Sequence, residues 1–242
     1  MKQRSIKENV LVLHVKKGYE EREKHINKML QRLNIPFVYI TGGDIDEINQ
    51  AVLDNYFSGI MYEISAQTSC TYKHLIAYKY ILDHNLSGAL ILEDDIILHK
   101  CFARIFNCCM LEYQAMGAEQ SCLISFENSR LRFVPRSARQ KGKYLYRGDK
   151  DRMAGAYFIS RKAASDLLNY AAEYKISKPI DLLHNQLLSK NKLIYYWCEP
   201  AIATQGSFCG LFQSSLSHKS RLWKLFSWKF KLVYKKLLYN LR

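Results

Sequence analysis

Two short apolar runs flanking one charged, amphipathic segment open the chain, and that order leaves few folds available to it. Val10 to Val15 (VLVLHV) is a nearly unbroken apolar run, the pattern of a strand buried on both faces. Glu20 to Leu33 follows as a charged helix with Ile26, Met29, Leu30 and Leu33 on one face. Asn34-Ile35-Pro36 stops it, Phe37 to Ile40 reads as a second strand, and Thr41-Gly42-Gly43-Asp44 is a turn. A β-α-β opening of this kind predicts an α/β fold with a mostly parallel sheet.

The alternation continues. Ser69 to His84 is helical in composition, and Asn85-Leu86-Ser87-Gly88 breaks it. Ala89 to Leu92 is a strand that runs directly into Glu93-Asp94-Asp95, with Ile96 to Leu98 continuing the apolar character. Cys122 to Phe126 and Gly155 to Ser160 are further strands, and Arg161 to Tyr174 is a helix. Pro179 to Leu188 gives another helix, beginning at Asp181, and Leu193 to Cys198 a late strand ended by Glu199-Pro200. The polar, basic segment from Glu127 to Arg152 reads as a long loop or irregular hairpin, a length often associated with lids and binding loops. Nothing repeats and no linker divides the chain. We therefore expect one domain over 1–217 and a basic amphipathic helix over 218–242.

Composition excludes several classes. Of 242 residues, 48% are hydrophobic and 24% charged, with 11 Gly and 4 Pro, which argues against disordered and collagen-like chains. No stretch reaches the roughly 18–20 apolar residues of a membrane-spanning helix. Met1-Lys2-Gln3-Arg4 lacks the apolar run of a secretory signal. Seven cysteines, without regular spacing or a CxxC pair, read as reduced thiols of a cytoplasmic protein with no catalytic role. The net charge of +14 favours anionic partners. It is concentrated in Arg130 to Lys150 and in Lys219 to Arg242, which holds eight Lys or Arg and no acid.

The sharpest chemical feature is Leu90-Ile91-Leu92-Glu93-Asp94-Asp95-Ile96. In open α/β sheets the ligand crevice lies outside the carboxyl ends of the strands. Three adjacent carboxylates repel one another unless a cation is near, and a hard divalent ion, Mg²⁺ or Mn²⁺, removes that repulsion while bridging to a diphosphate. A solvated turn capping the next helix is the competing explanation.

Context favours the first. Ser69-Cys70-Thr71-Tyr72-Lys73-His74-Leu75, a helix, then Ala89-Leu90-Ile91-Leu92-Glu93-Asp94-Asp95 resembles glycosyltransferase family 25, the bacterial lipopolysaccharide and lipooligosaccharide glycosyltransferases. The opening strand-helix-strand, the GAYFISRKAASDLL segment, Pro179-Ile180-Asp181, and Glu199-Pro200-Ala201 with Gln205 and Ser207 resemble further family segments in the same order, over roughly residues 10–215. The chain departs from the family's pattern in three places: Ser69 stands for its usual Gly, Lys73 for its usual Ser, and the residues before Tyr157 lack its usual Thr or His.

The resemblance implies a GT-A-type nucleotide-sugar-binding fold with a mixed, mostly parallel central sheet. It also implies inverting transfer of a hexose, most often galactose from UDP-galactose, onto a growing glycan. Glu93, Asp94 and Asp95 match the acidic box, with Asp95 the most direct metal ligand and Glu93 and Asp94 contacting ribose or ligating through water. The general base that inversion requires falls on Asp181, in the family's Pro-x-Asp; a helix-capping Asp is the alternative there, and Asp151 the next candidate base. His74 matches the family's Ser-His, with two roles open: donor phosphate contact, or a hydrogen-bonded core histidine. Arg22 matches the arginine of the first helix, reaching either nucleotide or solvent. Gln205 and Ser207 are candidate donor or acceptor contacts, and His218 a candidate late metal ligand or a plain surface histidine.

Two rivals are weaker. A nucleic-acid-binding protein would suit the charge and the 17 Tyr, but helix-turn-helix, RNA-binding and zinc signatures are missing. A nucleotidyltransferase would open with a Gly-rich phosphate loop, and His14-Val15-Lys16-Lys17-Gly18 has one Gly. In the tail, Trp223, Phe226, Phe230, Val233, Leu237 and Leu241 share one helical face beside Lys224, Lys231 and Lys235. That is the composition of a helix lying on an anionic membrane surface, which would bring the enzyme to a lipid-linked oligosaccharide acceptor on the inner face of the cytoplasmic membrane. Packing on the protein's own core or on a second subunit is the alternative.

Overall fold

A computed structural model describes residues 6–117, 120–212 and 221–240, without the side chains of 221–226 and 240. The strands are β1 (Asn9–Leu13), β2 (Val38–Ile40), β3 (Gly88–Glu93), β4 (Ile96–Leu98), β5 (Cys122–Ser125), β6 (Leu145–Arg147), β7 (Ala156–Ser160), β8 (Ile194–Cys198) and β9 (Ala203–Gln205). The helices are α1 (Glu20–Leu33), α2 (Gln50–Tyr56), α3 (Ala66–Asp83), α4 (Phe102–Ala115), α5 (Arg161–Tyr174), α6 (Ile180–Ser189), α7 (Gly206–Cys209) and α8 (Arg221–Asn240).

Seven strands form one sheet in the order β2-β1-β3-β7-β5-β8-β6. The pairings β1 with β2, β1 with β3 and β5 with β8 are parallel, while β7 runs against β3 and β5, and β6 against β8. The sheet is thus mixed, most of its strands sharing one direction, as the sequence predicts. Alternation along the strands fills both faces. Leu11 and Ile91 pack in a layer with Leu75 and Tyr78 of α3 and Leu167 of α5. Val10, Val12, Leu90 and Leu92 pack in another with Ile26 and Leu30 of α1 and Phe102 and Phe106 of α4. Each such side chain, fully buried, contributes roughly 1.5–3 kcal/mol of hydrophobic stabilisation. α1 ends where Asn34 takes the left-handed conformation, φ 53°, and the Ser160 side chain caps α5 by accepting the Ala163 N–H.

The segment expected as a long loop is only partly one. Leu145–Arg147 adds to the sheet as an edge strand on β8. β4 and β9, not anticipated as a pair, form a separate antiparallel ribbon with Ile96 opposite Gln205. That ribbon carries the late segment back to the acidic box.

Candidate active site

The site is built at the carboxyl ends of β1 and β3. Their parallel register sets Leu13 opposite Glu93, so His14 falls beside Asp94. The Asp94 carboxylate is taken on both oxygens: His14 Nδ1 lies 2.8 Å from Oδ2, and Arg22 Nη1 donates to Oδ1 at 3.1 Å. Arg22 therefore faces the box rather than solvent. Burial works against its charge, but Asp95 and Asp94 more than offset this and raise its pKa.

Asp95 is held from the other side. Its main-chain oxygen accepts the Gly206 N–H at 2.8 Å, and its Oδ2 accepts the Ser207 N–H at 3.0 Å. A Cβ at Gly206 would stand 2.7 Å from that same Asp95 oxygen, so only glycine lets the chain approach this closely. Asp95 Oδ1 is buried without a hydrogen-bond partner. Burial, then the Glu93 charge, push the Asp95 carboxyl up to about 6, against the pull of Arg22 and Ser207.

Glu93 Oε2 accepts from Gln205 Nε2 at 2.6 Å. Its Oε1 faces His74 Nε2 at 3.7 Å and the Cys70 thiol at 4.0 Å. Burial, then Asp94, push the Glu93 carboxyl up to about 7. Burial also pushes the Cys70 thiol well up, with Glu93, Asp181 and the other acids of the box adding to it. Buried Asp94 and Asp95 and part-buried Glu93, with Arg22, His14 and His74 among them, form a strongly electronegative floor, of which Glu93 and Asp94 line the pocket.

A cavity of about 480 Å³ opens on this floor, lined among others by His14, Lys17, Arg22, Cys70, Lys73 and Glu93. Two of the departures from the family's pattern, Ser69 and Lys73, meet at its rim. Ser69 Oγ donates to the Gly43 carbonyl at 2.7 Å, while Lys73 Nζ reaches Asp44 Oδ1 at 2.5 Å and the Gly42 carbonyl at 3.1 Å. Together they fasten the turn after β2 to α3.

The remaining expected residues divide. Asp181 is in the first turn of α6, but the N-cap is Pro179 and the Asp181 side chain makes no capping bond. The capping alternative is therefore corrected: Asp181 Oδ2 pairs with Arg130 Nη2 at 2.6 Å, and its charge is felt by both Glu93 and Cys70. Asp151 is 1% exposed, bound to His184 Nδ1 at 2.9 Å and to the Met153 N–H, so it is not brought to the cavity. His74 is fully enclosed, with Nδ1 2.7 Å from the Tyr157 hydroxyl; burial, then His184, lower its pKa to about 3. His218 lies outside the described residues.

Four contributors escaped the sequence reading: His14, Cys70, Arg130 and Glu127. Glu127 is fully buried behind the box, accepting from the Ala156 N–H at 3.2 Å, the Gly155 N–H and the Ser129 hydroxyl, while Ser129 Oγ accepts the Gln205 N–H at 3.0 Å. It follows an apolar strand as Glu93 does, and that signal could have found it.

The fold and site define an α/β protein with an acidic, cavity-facing sheet edge. Residues 9–184 match the model of glycosyltransferase family 25 (LPS biosynthesis protein), and the chain belongs to that family. A search of curated proteins finds no match. Among solved structures, the chain is similar to a glycosyltransferase involved in the glycosylation of the major capsid of PBCV-1, at 9% identity and a TM-score of 0.45, over 92% of this chain and 98% of that one. It is also similar to a Bacillus anthracis protein described as a glucose-1-phosphate thymidylyltransferase, solved with sucrose, at 14% identity and a TM-score of 0.41, over 90% and 75%. Likenesses this distant carry no argument about activity.

Proposed function

We propose that the chain is an inverting GT-A-type hexosyltransferase, moving galactose from UDP-galactose onto a lipooligosaccharide or lipopolysaccharide acceptor. The observation that carries this reading is the acidic box: in a family 25 chain, Glu93 and Asp94 line a cavity of about 480 Å³ at the carboxyl end of β3, with Asp95 buried directly behind them. Asp95 fits a hard divalent ion, because its Oδ1 is a buried carboxylate oxygen with no partner. Asp95 and Glu93 would hold Mn²⁺ or Mg²⁺, which when bound acts as a Lewis acid toward the leaving UDP.

The chain's own residues do the rest. Gln205 and the Ser207 amide fix Glu93 and Asp95, and His14 with Arg22 fixes Asp94. Lys17 and Arg22 line the cavity and add positive charge for a diphosphate, while Lys73 is held by Asp44. Asp181 takes the acceptor hydroxyl's proton, its orientation set by Arg130. Asp151 would have to leave His184 to do the same, which makes it the weaker candidate.

The second part of the reading concerns α8. No helix among the described residues is long and apolar enough to cross a membrane. In α8, Phe230, Val233, Tyr234 and Leu237 form an exposed stripe, with Lys229, Lys231 and Lys236 exposed beside it. The opposite side leans on the domain, with the Tyr239 and Phe133 rings 5.6 Å apart. An apolar stripe with basic flanks suits the headgroup region of an anionic membrane, where each Lys contributes about 1 kcal/mol. Docking there would bring the site to a lipid-linked acceptor. Trp223, Phe226 and Leu241, expected on the same stripe, lie outside the described side chains.

The experiment is a donor screen with UDP-galactose, UDP-glucose and UDP-N-acetylhexosamines, in Mn²⁺, Mg²⁺ or EDTA, scored by UDP release. Galactose should lead and EDTA should abolish release. Asp181→Asn should lower kcat by about 10²–10⁴ with UDP-galactose affinity unchanged. Full activity in EDTA would overturn the metal-dependent reading. Removing residues 219–242 should abolish sedimentation with anionic but not alter it with neutral liposomes, and equal sedimentation with and without the tail would overturn membrane docking.

A further inference from the structure

Beneath the acidic box, a chain of buried hydrogen bonds runs from Asp151 to His74, and its direction can be worked out proton by proton. His184 Nδ1 is 2.9 Å from Asp151 Oδ2. A carboxylate only accepts, so that nitrogen carries the proton, and in the neutral imidazole His184 Nε2 is left as an acceptor. The Tyr78 hydroxyl, 3.1 Å from His184 Nε2, donates to it. Tyr78 has then spent its only proton, so the Tyr157 hydroxyl, 2.6 Å away, donates to Tyr78. Tyr157 in turn can only accept from His74 Nδ1, at 2.7 Å. The tautomer of His74 is thus assigned by the network: proton on Nδ1, lone pair on Nε2.

That lone pair has no hydrogen-bond partner, in a side chain that is fully buried. It points toward Glu93 Oε1, 3.7 Å away, which is itself an acceptor, and the Cys70 sulfur lies 4.0 Å from the same oxygen. All three ligand atoms lie within 4.8 Å of one another. With Glu93 ionised, two acceptors face each other across a buried gap, and 3.7 Å is too long for a shared hydrogen bond, so a cation between them relieves the pair. In a tetrahedral zinc site with N, O and S ligands, the ligand–ligand edges are about 3.3–3.6 Å. The observed separations to Glu93, 3.7 and 4.0 Å, are each about half an ångström longer than the matching edge, a gap that a bound ion would draw in.

We infer that Cys70, His74 and Glu93 hold a borderline-soft divalent cation of the Zn²⁺ class, with His74 ligating through Nε2. Sulfur and imidazole together select such an ion over Mg²⁺ or Mn²⁺. Three protein ligands leave a fourth position open, and Cys70 and Glu93 both line the cavity, so the open position faces whatever the cavity holds. Tyr157, Tyr78, His184 and Asp151 are positioning residues: they fix which nitrogen is free, as partners of metal-bound histidines do. The site shares Glu93 with the acidic box but does not use Asp95, and the inference does not rest on the glycosyl-transfer reading.

Cobalt(II) is the probe. The full-length protein, freed of metal by chelator dialysis, is titrated with Co²⁺ and read in the near-ultraviolet for thiolate-to-metal charge transfer. One equivalent should saturate the band, Zn²⁺ should displace it, and equimolar Mg²⁺ should not. Cys70→Ser should remove the band with the circular dichroism of the fold unchanged. Tyr157→Phe, which takes away the acceptor for His74 Nδ1–H, should keep the band and weaken Co²⁺ affinity by about 10–100-fold. No band in wild type, a band that survives Cys70→Ser, or unchanged affinity in Tyr157→Phe would each overturn the assignment. UDP release in Mn²⁺ separates the two readings: release without a cobalt band defeats only this inference, and a cobalt band without release from any donor defeats only the transfer reading.

Discussion

Two of the regions that bury carboxylates treat them in opposite ways. Glu199 sits beside a fully buried Arg152, with Nη2 2.9 Å from its Oε2, while Arg152 Nη1 holds the Cys198 carbonyl at 2.8 Å and the guanidinium lies over the Trp197 ring at 4.5 Å. Val134 N–H and Arg139 add to Glu199 from outside. That region matches its carboxylate with cations, though Arg152 Nε has no hydrogen-bond partner. The acidic box does not: Arg22 and His14 are spent on Asp94, and Asp95 Oδ1, His74 Nε2 and Gln205 Oε1 stay buried and unpartnered. Charge neutralised within the fold is architecture; charge gathered without a partner is prepared for something that arrives.

The contrast can be broken by single substitutions. Asp95→Asn keeps the shape of the box and an acceptor for Ser207. It should cost about a thousandfold in UDP release, near 4 kcal/mol of transition-state stabilisation. Its folding stability should hold or rise, because a carboxyl already pushed up to about 6 resists ionising where it sits. Arg152→Leu should do the reverse. It strands Glu199 in the interior and should lower stability by about 3–5 kcal/mol in urea unfolding, much of it recovered when Glu199→Gln is added. An Asp95→Asn protein that unfolds, or an Arg152→Leu protein as stable as wild type, would erase the distinction.

The sequence makes one side of this contrast more legible than the other. Strand-end acids announce themselves locally: an apolar run ending in Glu93-Asp94-Asp95 needs no tertiary information, and neither does the β-α-β opening. What was hidden depends on register and long separations. His14 becomes a partner of Asp94 only because β1 and β3 pair in parallel with Leu13 against Glu93. The path from His74 to Asp151 joins α3, β7 and α6, whose residues are 79 and 106 positions apart at its tyrosine links. β6 is a three-residue strand that exists by virtue of β8 beside it. Asp181 carries the sequence signature of a helix cap, yet Arg130, 51 residues away, takes its side chain instead. Local pattern reports periodicity and punctuation; it cannot report which distant side chain wins a hydrogen bond.

Glu127 stands between the two regions and sharpens the comparison through a smaller effect. Like Glu199, it is satisfied, by the Ala156 and Gly155 amides and the Ser129 hydroxyl. Like Asp95, it has no cation among those partners. Burial dominates those donors, and with Glu93 and Asp151 nearby its pKa lies well above the ordinary value. The sign follows: a carboxyl whose folded pKa exceeds its unfolded pKa stabilises fully below the unfolded value, and loses that contribution as pH rises toward the folded value. Glu127→Gln keeps an oxygen for the two amides, and Ser129 can turn to accept from the new amide group. The variant should therefore match wild type near pH 4 and become progressively more stable relative to it as pH rises, by at most about 1.4 kcal/mol per pH unit. Paired thermal melts of the metal-free proteins from pH 4 to 9 read this difference, and taking the difference removes the titration of groups that do not interact with Glu127. If the gap instead opens in favour of wild type at high pH, the three donors outweigh burial, and Glu127 belongs with Glu199 as a carboxylate the fold has already neutralised.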